Sequence, residues 1–265
     1  MLDARPELAG PISIGSDLHL NVLGCDGTYA GPGGACSGYL VSSRTTHLWM
    51  DAGPGTLSRV QRHVALQDLS AVVISHEHPD HSGELPILRN ALRFLLGMSG
   101  LPVLTTASAR RLVDELTGGA EPTFAWDVVA DGDERQVGDM RLRFVRTDHP
   151  VETLAVRIDH PSGSLVYSAD TGGGLDGARL DPDGTGVDLF LVEASMAAED
   201  EDAVQHLTAA QAARLAMEAG ARRVLVTHVV PGTDPEARRA EVAAALAAGG
   251  STAQVVAAAD HQTPG

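Results

Sequence analysis

The chain has 265 residues, of which 43% are hydrophobic and only 3% aromatic, and its formal net charge is −16. This length allows one large α/β domain or two small ones, with a core of aliphatic side chains. The acidic balance disfavours binding of long nucleic acids, because no run of lysine or arginine interrupts it. The two cysteines exclude a disulfide framework, and no apolar run reaches the roughly 20 residues that a membrane span needs.

Residues 1–7 lack a basic region followed by an apolar stretch, so the sequence predicts no signal peptide and a cytoplasmic protein. Residues 1–16 are expected to be a loose lead-in to a single domain that takes up residues 1–265. Two buried free thiols are favoured for Cys25 and Cys36, although a pair across the glycine-rich segment stays open.

The first half of the chain predicts strands that are followed by helices. Alternation indicates a strand at 18–23, and a glycine-rich loop follows at 24–38. Asp51-Ala-Gly-Pro-Gly55 ends a strand, because glycine and proline interrupt regular structure. The other predicted elements are strands at 39–42 and 47–50, a helix at 56–64, a buried strand at 69–75, a helix at 87–96, a strand at 103–104 and a helix at 107–116.

From Phe124 the pattern changes to strands and then returns to helices. Thr208 is a typical N-cap for one of these helices. Each half of the chain therefore begins with strands and continues with helices and strands, which predicts two sheets with helices outside them. The predicted elements are strands at 124–129, 140–146, 153–158, 164–168 and 188–192, a helix at 208–219, a strand at 222–227, a helix at 234–247 and a strand at 252–258.

The segment His76-Glu-His-Pro-Asp-His81 directly follows a predicted buried strand and contains three imidazoles and a carboxylate that could bind metal. Imidazole together with carboxylate suits zinc, manganese or ferrous iron. In an extended or turn segment, residues i and i+2 share a side. We therefore expect His76 and His78 to serve one ion, and Asp80 and His81 to serve a second. Two ions roughly 3.5–4 Å apart can clamp the attacking and the leaving oxygen of a phosphoester.

Further candidate ligands stand where apolar runs end. His149, Asp170 and His228 each follow a predicted strand, so their side chains are expected to emerge from a rigid sheet into a cleft. One such histidine would more often be a packed or surface residue. Three such sites beside the histidine-rich segment favour a metal centre.

Together these residues resemble the metallo-β-lactamase superfamily, and the resemblance runs from about residue 18 to 260. It implies an α/β protein with an αββα four-layer sandwich and two divalent metal ions, zinc foremost, with manganese or iron as alternatives. It implies that Asp51 supports the site from behind the ligands. The implied ligands are His76, His78 and His149 for one ion, Asp80, His81 and His228 for the other, and Asp170 as a bridge.

Two further segments resemble the ribonuclease Z and phosphodiesterase branch of this superfamily. Glu193 lies in a segment similar to that branch's His-Glu-Ala-Thr motif, with Val192 in place of the first histidine. His206 begins a segment similar to the branch's His-Ser-Thr-Ala helix start. The resemblance implies that Glu193 orients His206, which protonates the leaving alkoxide or stabilises the phosphorane, with Asp80 also among the catalytic residues. A capping or exposed histidine and a buried structural acid are the alternatives.

The expected substrate is a small phosphodiester, a 3′,5′-cyclic nucleotide in the first place. The loop at 24–38 resembles the corresponding loop of actinobacterial cyclic-nucleotide phosphodiesterases. Ribonuclease Z carries a long tRNA-binding arm after the third motif, whereas only 21 positions separate His149 from Asp170 here. A lactonase, a thioesterase, a phosphotriesterase, a ribonuclease Z without its arm and a nucleotide sensor without turnover are the alternatives. No long nucleic acid and no membrane are expected as partners, and a homodimer is compatible with the resemblance.

Overall fold

Two seven-stranded sheets form the centre of the computed structural model, which describes residues 10–198 and 204–258. Residues 1–9 of the expected lead-in lie outside the described residues, but Ile12–Ser13 already forms a strand, because it pairs antiparallel with the next one. The first sheet follows the chain in the order β1 (Ile12–Ser13), β2 (His19–Gly24), β3 (Gly38–Ser42), β4 (His47–Met50), β5 (Ala71–Ile74), β6 (Leu101–Thr105) and β7 (Phe124–Val128).

The second sheet contains the remaining strands of the described ranges, again in chain order. Its first four strands pair antiparallel with one another, and the fourth and the three strands after it pair in parallel. The strands are β8 (Glu134–Val137), β9 (Met140–Arg146), β10 (Leu154–His160), β11 (Gly163–Tyr167), β12 (Leu189–Glu193), β13 (Arg223–Thr227) and β14 (Gln254–Ala257).

Helices cover the outer face of each sheet. The segment predicted as one helix at 87–96 is instead α-helical and then π-helical, and it ends at Gly97, whose φ of 63° suits glycine. The helices are α1 (Thr56–Val60), α2 (Pro79–Ser82), α3 (Leu85–Asn90), a π-helix (Ala91–Leu96), α4 (Ala107–Thr117), α5 (Ala209–Glu218) and α6 (Pro235–Ala248), with 3₁₀ turns at Leu66–Asp68 and Gly177–Leu180.

Three apolar clusters define four layers. One cluster lies between the two sheets, a second packs β12 and β13 against α5 and α6, and the third packs β4 and β5 against the helices of the first half. Within the described residues this is an αββα sandwich, as predicted. No disulfide joins Cys25 and Cys36, and only Cys36 is fully buried, whereas Cys25 is partly exposed. None of the described helices is both long and apolar enough to cross a bilayer.

Alternation along β12 shows how a central strand serves two cores. Leu189 and Leu191 belong to the cluster between the sheets, whereas Phe190 and Val192 belong to the cluster under the helices. Burying a side chain such as Phe190 contributes on the order of 2–3 kcal/mol, so packing on both faces fixes the strand firmly. The strand ends with a buried carboxylate, Glu193, which it delivers to the edge of the sandwich.

Candidate metal centre

Six strands deliver six of the predicted site residues to one edge of the sandwich. Each residue lies at, or just beyond, the carboxyl end of its strand. Parallel strands place these ends along the same edge, where loops leave room for a ligand. The strands β4, β5, β9, β11, β12 and β13 supply Asp51, His76, His149, Asp170, Glu193 and His228, respectively.

The histidine-rich segment combines an extended part with a single helical turn. His76 follows β5, and His78 is the extended N-cap residue of α2. Asp80 and His81 then lie within the single turn of α2, where Pro79 at the first position suits a helix start. The change from extended chain to helix separates the four side chains into two pairs, His76 with His78 and Asp80 with His81.

A first cluster brings together His76, His78, His149 and Asp170, whose potential ligand atoms lie within 4.8 Å of one another. The Nε2 atom of His149 lies 3.2 Å from Nδ1 of His78. The Nε2 atom of His76 lies 3.7 Å from Oδ2 of Asp170. Three imidazoles and one carboxylate oxygen therefore converge on a common point, as a cation would require.

A second cluster contains Asp80, His81, His228 and again Asp170, within the same 4.8 Å limit. The Nε2 atoms of His81 and His228 lie 3.2 Å apart. The Oδ1 atom of Asp170 is 3.2 Å from the first of these nitrogens and 3.4 Å from the second. One oxygen of Asp170 therefore faces each cluster, so a single carboxylate is shared by the two groups of side chains.

Buried atoms without hydrogen bonds show that the clusters fit metal ions. Among the described residues, neither His76 Nε2 nor Asp170 Oδ1 has a well-formed hydrogen bond, although both are shielded from solvent. Leaving such polar atoms unsatisfied costs roughly 1–3 kcal/mol each. Divalent cations placed in the two clusters would satisfy both atoms, since imidazole and carboxylate are good ligands for zinc, manganese and iron.

The pKa values of His76 and His149 in the first cluster shift in the opposite direction to the pKa of His81 in the second. Burial, together with the charge of His81, lowers the pKa of His76 well below its usual value, and burial likewise lowers the pKa of His149. Burial also opposes the charged form of His81, but the carboxylates of Asp170 and Asp51 outweigh it and raise its pKa well above normal. In the metal-free protein His76 and His149 therefore offer neutral imidazoles, whereas His81 holds a proton that a cation would replace.

Asp51 orients the predicted ligand His81 by a hydrogen bond to the ring nitrogen that faces away from the cluster. Its Oδ2 atom accepts hydrogen bonds from His81 Nδ1 at 2.7 Å and from Tyr167 Oη at 2.8 Å. The backbone N–H and the hydroxyl of Ser75 donate to its two oxygens at 2.8 and 2.9 Å. Because Nδ1 of His81 donates to Asp51, the Nε2 atom of that ring faces the cluster.

Glu193 and His206 form a pair beside the clusters. The Nδ1–H of His206 donates to Glu193 Oε1 at 2.9 Å. The side chain of His206 is 19% exposed to solvent. The His206 ring also stacks on His228, with 5.4 Å between ring centroids. Burial opposes the charged imidazolium, but the hydrogen bond and charge of Glu193 raise the pKa of His206 to about 9. The ring thus carries a proton at neutral pH and leaves its other nitrogen available.

The glycine-rich loop closes one side of the second cluster. The backbone N–H of Thr28 donates to Asp80 Oδ2 at 2.9 Å. A Cβ atom on Gly27 would stand 2.7 Å from the carbonyl oxygen of His228, so only glycine fits there. The glycine run at 172–174 has a different use, because the N–H of Gly174 donates to the carboxylate of Asp148 rather than facing the clusters.

Sequence reasoning missed several residues that shape the site. Ser75 and Ser195 each bond a carboxylate and a histidine, and Tyr167 bonds Asp51. Within the described ranges, the non-glycine residues with positive φ are Thr28, Asp51, Ala169 and His228, all in or beside the clusters. Such backbone strain collects at functional sites. The one sequence signal for the two serines was their position, since Ser75 precedes His76 and Ser195 lies two residues after Glu193.

Comparison with known proteins identifies the family of the chain and its relatives. The family described as a beta-lactamase superfamily domain matches residues 46–229. An uncharacterized protein of Mycobacterium tuberculosis is 34% identical over 231 residues, which cover 83% of each chain. Ribonuclease Z of Methanopyrus kandleri is 28% identical over 258 residues, covering 85% of this chain and 91% of the relative.

A third relative links sequence and structure. The probable metallo-hydrolase YhfI of Bacillus subtilis is 31% identical over 218 residues, covering 80% of this chain and 87% of the relative. The crystal structure of YhfI, described as a metallo-beta-lactamase fold protein, superposes with a TM-score of 0.82 at 27% identity. The superposition covers 93% of this chain and 98% of that one.

Proposed function

The chain belongs to the metallo-β-lactamase superfamily of metal-dependent hydrolases, and we propose that it is a two-metal phosphodiesterase that hydrolyses a small diester, in the first place a 3′,5′-cyclic nucleotide. The observation that carries this proposal is the pair of clusters that share Asp170, with the Glu193–His206 pair beside them. A cytoplasmic location, a small-molecule partner and a homodimer are further parts of the proposal.

The residues divide naturally between two divalent ions, for which zinc is the first choice and manganese or iron the alternatives. When bound, such ions lower the pKa of a water molecule towards neutrality and stabilise negative charge on phosphate oxygens. Asp51 holds His81 in the required orientation. The proposed ligands are His76, His78 and His149 for the first ion, Asp80, His81 and His228 for the second, and Asp170 for both.

His206 supplies the proton that the leaving group needs. Its Nδ1–H is held by Glu193, so the proton on its other nitrogen is the one free to move. An alkoxide is a poor leaving group, and a positioned imidazolium speeds its departure by roughly 10²–10⁴-fold. Glu193 is buried and also accepts the backbone N–H of Thr171 at 2.7 Å, so it keeps a fixed orientation. This rigidity keeps the proton donor beside the clusters.

Two observations favour a small substrate over a folded RNA. Between His149 and Asp170 the chain forms only β10 and β11, which are joined directly at Pro161 and Ser162, so no arm extends from this segment. The net charge of −16 also opposes association with a long polyanion. A small diester is affected less, because bound cations dominate the local field.

Ribonuclease activity is the second candidate, and the similarity to a relative named ribonuclease Z favours it. Both candidates break a phosphodiester, so they differ in the size of the substrate rather than in the chemistry. A thioesterase would have no use for the Glu193–His206 proton donor, because its thiolate leaving group is already stable.

The experiment compares substrates on one preparation. The metal-free protein is reconstituted with zinc, manganese or iron and assayed with cyclic AMP, cyclic GMP, bis-p-nitrophenyl phosphate, a precursor tRNA and an acyl thioester. We expect the cyclic nucleotides to be opened to nucleoside monophosphates with the highest kcat/KM. Faster cleavage of precursor tRNA would establish the second candidate. Faster thioester turnover, or no product from any diester, would end the proposal.

A further inference from the structure

Ser195 occupies a position that neither the metal ligands nor the proton donor explains. Its hydroxyl is buried between Glu193 and His228. The Oγ atom lies 2.7 Å from Glu193 Oε2 and 2.8 Å from His228 Nδ1. It also lies 2.8 Å from the carbonyl oxygen of His228. A single hydroxyl thus contacts a carboxylate, an imidazole and the backbone of a predicted ligand.

Proton counting decides the direction of these contacts. A hydroxyl has one proton, and both the carboxylate of Glu193 and the carbonyl of His228 can only accept it. Whichever of them receives it, the Ser195 oxygen is left to accept a hydrogen bond from Nδ1–H of His228. That assignment leaves the lone pair on Nε2 of His228. This nitrogen lies 3.3 Å from Asp80 Oδ2 and 3.2 Å from His81 Nε2, inside the second cluster.

The other half of the sandwich contains the same arrangement. Ser75 donates its hydroxyl proton to Asp51 Oδ2 at 2.9 Å and lies 2.9 Å from Nδ1 of His76. Asp51 also bonds His81 directly, just as Glu193 bonds His206 directly. In each half, one buried carboxylate therefore holds one imidazole itself and a second imidazole through a serine hydroxyl.

We propose that Ser195 is a positioning residue that connects Glu193 to His228, so that one carboxylate orients both the proton donor and a ligand of the second metal ion. The serine fixes the tautomer of His228 and aims its Nε2 atom at the cluster. The part of this proposal that concerns His206 rests on the proposed function, whereas the part that concerns His228 does not.

Metal affinity tests the proposal without any substrate. Metal-free protein is titrated with zinc in competition with a chromophoric chelator, so that two dissociation constants are obtained. Ser195→Ala should weaken one of the two sites by roughly 10–100-fold, as loss of a group that orients a ligand does. Ser195→Thr keeps the hydroxyl and should stay within about threefold of the wild type. Ser75→Ala is the matched variant in the other half and should weaken the other site by a comparable factor.

A second readout reports the tautomer itself. Long-range ¹H–¹⁵N spectra of the histidine rings should show Nδ1–H for His228 in the metal-free wild type and a mixture of tautomers in metal-free Ser195→Ala. If Ser195→Ala does not fold, Ser195→Cys has a similar volume but a weaker acceptor, and should show an intermediate loss of affinity. Unchanged affinity for both ions, or a threonine variant as weak as the alanine variant, would overturn the proposal.

The outcomes separate this inference from the proposed function. If Ser195→Ala loses affinity at one site while no diester is hydrolysed by the wild type, Ser195 keeps its assigned role and the phosphodiesterase proposal fails. If the wild type hydrolyses cyclic nucleotides while both affinities survive in Ser195→Ala, the function stands and the role of Ser195 is wrong.

Discussion

Asp170 Oδ1 lies 3.2 Å from His81 Nε2, in a place that solvent does not reach. The other oxygen of Asp170 faces His76 at 3.7 Å, in the neighbouring cluster. The positive charge of the surrounding histidines outweighs burial and holds the pKa of Asp170 well below its usual value. The carboxylate is therefore ionised and divided between the clusters, so both ions are expected to depend on it.

Removing the negative charge of Asp170 should reduce the number of bound metal ions. Asp170→Asn keeps the size of the side chain but replaces one anionic oxygen by an amide, which is a poor ligand for a bridging position. We expect bound metal to fall from two ions to one or none, and turnover to become undetectable. Metal analysis of the purified protein and a diester assay measure this, with the exposed Asp68→Asn as control. Full activity with two ions retained would contradict the bridging role.

His206→Gln should distinguish a proton donor from a structural residue. Glutamine can still reach Glu193 but cannot deliver a proton, so turnover of a cyclic nucleotide should fall by roughly 10²–10⁴-fold with both ions still bound. Bis-p-nitrophenyl phosphate releases a stable phenolate that needs no proton, so its hydrolysis should fall much less. An equal loss for both substrates would show that His206 acts through the structure of the site rather than through its proton.

The order of the layers and the ligand candidates could be predicted because apolar runs that end in histidine or aspartate mark the ends of strands. Strand β8 was missed, since its Glu-Arg-Gln-Val sequence lies at a sheet edge and has no fully buried face that would require alternating apolar residues. The short helix α2 was missed for a similar reason, because one turn leaves no periodic signal. The hydroxyls of Ser75 and Ser195 could not be placed, because their partners come from distant strands.

Stability of the metal-free protein should depend on pH through His206. Its pKa is raised to about 9 in the folded state, against an ordinary value near 6.5, so its ion pair with Glu193 stabilises the fold fully below about pH 6.5. As pH rises through 9 the proton is lost and so is the stabilisation, of roughly 3 kcal/mol. Urea unfolding between pH 6 and 10 in chelator measures this. His206→Gln should show a flatter profile over that range; parallel profiles would contradict the assignment.

Metal uptake should release protons from the second cluster. The carboxylates of Asp170 and Asp51 overcome burial and keep His81 protonated in the metal-free protein, so a cation must displace that proton. Affinity should therefore fall as pH is lowered. Calorimetric titration in buffers of different ionisation enthalpy counts the protons released at pH 7. Asp51→Asn removes one of the two carboxylates and should reduce that number. A proton count of zero in the wild type would show that His81 is neutral before the ion arrives.

Thr28 should be a site where a substitution stabilises the fold without weakening the metal centre. Its φ of 66° is costly for a β-branched residue, by roughly 1–2 kcal/mol, and glycine adopts it freely. Part of that gain is offset by the greater entropy of an unfolded chain with glycine, so Thr28→Gly should raise the free energy of unfolding by up to about 1 kcal/mol.

The backbone N–H that Thr28 donates to Asp80 survives this change, so the zinc affinities should stay within a few-fold of the wild type. Thr28→Ala is the control that keeps the strained φ and removes only the branched side chain, and it should gain little. Urea unfolding of the metal-free forms compares the three proteins. A destabilised glycine variant would mean that the threonine side chain itself holds the loop, whereas a stable variant that loses one zinc ion would mean that strain at Thr28 is needed to aim its N–H at Asp80.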